Sequence, residues 1–150
     1  MTLPFIVNAV FRWAGFAALA ALVGSHVLDV LVLPWDSAET GAVRERLGRL
    51  NIFALVVLVV TTIAELVARA QTMAGGSLAA AMPAIPLVLA RTHFGAIWTG
   101  RLIVLALALL LAFIPSRGPR VVSLFLALAL TVSTTLTGHA ADWGSNTRLP

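Results

Sequence analysis

The chain of 150 residues contains no cysteine. Disulfides, thiolate metal sites and haem held by thioether bonds are therefore excluded. Tyrosine is absent, and all ten basic residues are arginine, so there is no lysine either. Charge of any kind is scarce: 11% of residues are charged against 60% apolar, and the mean hydropathy is +1.01. A soluble domain could not cover its surface with so few charges. The composition reads as an integral membrane protein whose first partner is the lipid bilayer. The net charge of +4 comes from arginines scattered between apolar runs rather than gathered in a patch, which excludes a nucleic-acid partner. No glycine-rich phosphate loop is present, and the three histidines, His26, His93 and His139, lie far apart. No nucleophile–base pair or paired carboxylate stands at workable spacing, so an enzyme is not expected.

What is there is apolar runs of bilayer length. Four spans are predicted, at about 13–33, 51–68, 96–114 and 121–137, and no β-barrel fits such continuous runs. Trp13 and Trp35 bracket the first span as interfacial aromatics do. Residues 1–12 lack the early basic region of a signal peptide and are read as retained, with an interfacial extension of the first helix one reading of them. Residues 36–50 form a charged loop in which 42–50 fits a short surface helix. Residues 70–91, with Gly75, Gly76, Pro83 and Pro86, read as a linker lying along the interface. Short connections make sequential helices antiparallel neighbours. The expected fold is one all-α membrane domain over 1–150, an antiparallel four-helix bundle.

Arginine placement sets the expected orientation. Arg44, Arg46, Arg49, Arg117 and Arg120 fall on one side, and Arg12, Arg69, Arg91 and Arg148 on the other. The basic turn from Arg117 to Arg120 assigns the first side to the cytoplasm. The termini and the 70–91 linker then face the periplasm of a bacterial inner membrane.

At ~1.5 Å per residue, position along a span converts to depth. His26 falls near the midplane. Glu65 and Arg101 fall at matching depth in the outer half, where an intramembrane ion pair is expected. Two readings stand for each polar group. Glu65 and Arg101 form a structural pair or take part in ion passage. His26 is interhelical glue or a ligand or proton relay, with Asp29 fixing its tautomer. His93 and His139 are interfacial histidines or metal ligands. Met73 and Met82 are apolar fillers or soft-metal ligands. The hydroxyls from Ser133 to Thr137 do no more than bond back to helix carbonyls, or add polarity to the outer half.

The segment Thr92-His93-Phe94-Gly95-Ala96-Ile97-Trp98-Thr99-Gly100-Arg101 resembles the T-x-F-G-x-x-W-x-x-R pattern of CopD-type copper-resistance membrane proteins. The matching residues are Thr92, Phe94, Gly95, Trp98 and Arg101. Gly138-His139-Ala140 resembles the G-H-A motif of the same family, and Met73-Ala74-Gly75 is similar too. The resemblance implies a multi-helix inner-membrane protein that handles copper, often with a periplasmic copper-binding partner. It offers His139 as a ligand, while Trp98 and Arg101 belong to the motif without a ligand role. His93 occupies a variable slot of the motif, and His26 is no part of it. Family members usually continue into a further helical set, and this chain resembles their first, four-helix portion. Partners expected on that ground are a second copy of the chain or a second membrane subunit.

The expected metal set is therefore His139, His93, His26 and Met73, with copper ion as the metal. Two other readings remain open. One is a b-type haem subunit for electron transfer, with haem b between facing histidines. The other is an accessory subunit of a larger complex, favoured by the small residues of the first span.

Overall fold

The computed structural model describes residues 3–35, 37–75 and 77–136. Among them every regular element is helical. Helix α1 spans Leu3–Val27 and runs into a π-turn at Leu28–Val32. A 3-10 turn at Ala38–Thr40 leads into α2, Gly41–Met73. Helices α3 (Leu78–Arg91), α4 (His93–Ala112) and α5 (Arg117–Leu136) follow. Four stretches are long and apolar enough to cross a membrane: Ile6–Val32, Gly41–Met73, Gly95–Ala112 and Arg117–Thr135.

The boundaries differ from the sequence expectation in ways that have local causes. The first helix starts at Leu3 and carries Asn8 and Arg12 within it. The surface helix expected at 42–50 is instead the first third of α2, which is continuous over 33 residues. Asn51 looked like a boundary, but it is buried and takes a hydrogen bond from the Ser25 hydroxyl of α1. A polar side chain satisfied across a helix interface need not end a helix. At ~1.5 Å per residue α2 is about 50 Å long, well beyond the ~30 Å hydrocarbon layer. Its arginine-bearing first turns therefore extend past that layer or the helix tilts. Ala74 bonds back to Ala70, and Gly75 then adopts φ 84°, the left-handed stop that glycine permits.

The expected linker at 70–91 is corrected to a packed helix. α3 keeps helical form through Pro83 and Pro86. Ala81 and Val88 are buried, and Val88 packs with Leu66 of α2 and Trp98 of α4.

The main core lies among α1, α2, α4 and α5. Leu22, Leu55 and Leu105 are its most buried large side chains, and Ala18, Ala54, Ala108 and Ala127 let the helices approach closely. Gly15 of α1 faces Thr61 of α2, and Ser25 meets Asn51. The order of those pairs shows that α1 and α2 run in opposite directions. Trp13, Leu31, Phe53, Leu110 and Phe125 point outward and exposed. In water such a surface would aggregate, whereas in a bilayer it meets acyl chains.

Candidate functional site

A polar cluster lies at each end of this core. The first is built by the segment Thr92 to Arg101. Thr92 leaves α3 in an extended conformation (φ −118°, ψ 150°). Its hydroxyl donates to the Val88 carbonyl at 2.6 Å and accepts from the Gly95 amide at 2.9 Å. One side chain thus closes α3 and caps α4. Gly95 is needed because the two helices nearly touch there. A Cβ would fall closer than 3.0 Å to the carbonyl oxygens of Val88 and Leu89. One turn on, Trp98 is buried against Leu66 and Val88. The next turn presents Arg101, whose guanidinium carbon stands 4.8 Å from the Trp98 ring centre.

Arg101 is buried and satisfied by two neighbouring helices. Its Nη1 lies 3.6 Å from the Glu65 carboxylate of α2. Its Nε donates to the Ser133 hydroxyl at 3.1 Å, and its Nη2 donates to the Ser133 carbonyl at 3.0 Å, both on α5. Ser133 in turn donates its own proton to the Leu130 carbonyl at 2.7 Å. Glu65 also stands within the field of Arg12 and Arg69. A cavity of about 40 Å³ opens beside the pair, with Arg12, Thr61, Thr62 and Thr134 among its polar lining. A water needs roughly 10–15 Å³ of such space, so a few waters fit.

The second cluster lies at the opposite end. Asp29 sits in the π-turn and is 3% exposed. Both its oxygens accept from Arg120 Nη1, at 2.9 and 2.7 Å, and Arg44 Nε approaches to 3.7 Å. Arg44 also donates to the carbonyls of Leu33 and Pro34, each at 3.1 Å. The Trp35 ring centre has the guanidinium carbons of Arg44, Arg117 and Arg120 at 4.0, 5.3 and 5.8 Å. The sequence reading missed this cluster. The sequence places Arg120 in a short basic turn and Asp29 beside His26.

His26 is buried, and its Nδ1 contacts the Leu22 carbonyl at 2.8 Å. A carbonyl only accepts, so Nδ1 carries a proton. The backbone rather than Asp29 therefore fixes the tautomer. The sequence expectation for His26 is a position near the midplane. The span Ile6–Val32 is centred seven residues earlier, so His26 lies ~10 Å toward the Asp29 end.

The other candidates fall at the Glu65 end of their helices. Met73 is the last residue of α2 and is exposed, as is Met82 on α3. His93 is the first residue of α4. The side chain of His93 lies outside the described residues, as do Thr137 and His139, although α5 ends at Leu136, shortly before them. Among the described residues no three histidine, aspartate or glutamate side chains come together as a metal site. The hydroxyls of Thr134 and Thr135 bond back to helix carbonyls at 2.6 and 2.7 Å.

A multi-pass helical bundle with a charged cluster buried at each end defines a polytopic membrane protein. Over residues 2–146 the chain matches the family described as copper resistance protein D-like, N-terminal domain, and it belongs to that family. No curated protein and no solved structure matches it.

Proposed function

We propose that the protein handles copper as its cargo, taking the ion at the end of the bundle where Glu65 meets Arg101. The observation that carries this reading is a convergence of helix ends within a copper-resistance family. Met73 closes α2, His93 opens α4, and α5 finishes just before His139, all at the end that holds the ion pair and its small polar-lined cavity. Thioether and imidazole together suit Cu(I), and neither needs a thiolate, which the chain lacks. The arginine-rich opposite end faces the cytoplasm by the positive-inside rule, which turns the copper end toward the periplasm of an inner membrane. A periplasmic copper-binding protein would meet it there. The Glu65–Arg101 pair holds the two helices at that end in register, and His26 stands too deep in the other half to share a first capture site.

Cu(I) titration of the purified protein against a competing chelator tests the reading. The double substitution His93→Ala with His139→Ala is expected to weaken binding at least ~tenfold, since loss of groups that merely support ligands already costs that much. His26→Ala is expected to leave the first Cu(I) affinity unchanged. Undiminished stoichiometry and affinity in the double variant would overturn the proposal. A Soret band in the purified protein would instead favour a haem b subunit.

A further inference from the structure

The cluster around Trp35 does not depend on copper, and its charges do not balance. We infer that it is a binding site for the phosphodiester of an anionic phospholipid. Three guanidiniums, from Arg44, Arg117 and Arg120, surround one indole ring. Their ion pairs among the described residues go to Asp29 alone, so the described residues of the cluster carry two positive charges in excess. Trp35 Nε1 has no hydrogen-bond acceptor among the described residues, while Arg44 Nε faces Asp29 at 3.7 Å, beyond hydrogen-bond length. Surplus cations beside unsatisfied donors call for an oxyanion.

The location selects the kind of oxyanion. Trp35 follows the end of the Ile6–Val32 span, Arg117 and Arg120 open the Arg117–Thr135 span, and Arg44 lies in the first turns of α2. Spans leave the hydrocarbon here, at the depth where lipid phosphates lie and where tryptophan prefers to sit. Basic pockets between membrane helices hold anionic headgroups in this way. A zwitterionic headgroup fits less well, because its own cation would face the same guanidiniums. Arg117 is the arm that reaches the lipid: it is exposed and makes no ion pair among the described residues, while Arg120 and Arg44 are held by Asp29.

Native mass spectrometry of the protein from mild detergent, titrated with phosphatidylglycerol or phosphatidylcholine, reads the site directly. Phosphatidylglycerol should be retained in preference. Arg117→Gln should weaken its retention roughly fivefold, the share of one interfacial arginine. Arg117→Lys should keep most of it. Arg46→Gln removes the same charge from an exposed position of α2 that does not touch Trp35, and should change little. Millimolar inorganic phosphate should not displace the lipid. Equal retention of the two lipids, equal loss in Arg46→Gln, or displacement by inorganic phosphate would each overturn the assignment.

Discussion

Asp29→Ala is expected to destabilise the protein by ~3–5 kcal/mol, the cost of leaving a buried charge without its partner. Asp29 is 3% exposed and is shared by two arginines whose side chains are 12% and 23% exposed. Removing the carboxylate strands both guanidiniums where water reaches them poorly. It also frees the π-turn, whose backbone closes with a bond of 2.9 Å from the Leu33 amide to the Leu28 carbonyl. Arg120→Met should cost less, because Asp29 keeps Arg44. Combining Asp29→Leu with Arg120→Met should cost less than the two single losses added, since only Arg44 is then left without its carboxylate. Unfolding in mixed detergent micelles measures all of these. A loss below ~1 kcal/mol in Asp29→Ala, the scale of an exposed pair, would show that the charges are solvated in the membrane-embedded protein.

Gly95→Ala is expected to cost ~3 kcal/mol or more, at or beyond the upper end for overpacking. The clash is with two backbone carbonyls, those of Val88 and Leu89, which cannot rotate aside as a side-chain end would. Relief requires α3 and α4 to part, which would move Trp98 off Leu66 and carry Arg101 away from Glu65 and Ser133. Gly100→Ala, in the same helix, meets nothing within 4 Å. It should be neutral or stabilising by up to ~1 kcal/mol, because alanine is the better helix former. Thermal melting of the two variants separates a packing requirement at one glycine from a general intolerance of the helix. Equal melting temperatures would contradict the close approach.

The same physics explains which parts of the fold were legible in the sequence. Apolar runs of bilayer length revealed the four spans because hydrocarbon tolerates little else. The Glu65–Arg101 pair was legible because two successive spans hold their charges at one depth. α3 was not, because Pro83, Pro86 and the double glycine read as breakers in water. Near hydrocarbon an unpaired backbone group is so costly that helix persists through prolines. Asp29 and Arg120 are 91 residues apart, and no local pattern joins them. The candidate span begins at Ile6 rather than near Trp13, which shifts the centre of the first span toward its N-terminus. Ser133 was hidden for another reason. Its hydroxyl proton does bond back to its own helix, as serine in a helix does, and its hydroxyl lone pair and backbone carbonyl serve Arg101. Four residues of the T-x-F-G-x-x-W-x-x-R segment make structural contacts: Thr92 caps, Gly95 permits contact, Trp98 fills, and Arg101 joins three helices.

X-ray absorption at the copper edge of the Cu(I)-loaded protein tests the central claim most directly. The account predicts imidazole scattering from His93 and His139 together with a thioether sulfur shell that disappears in Met73→Leu and persists in His26→Ala. A spectrum without imidazole scattering, or one altered by His26→Ala and untouched by Met73→Leu, would place copper away from the Glu65 end and contradict it.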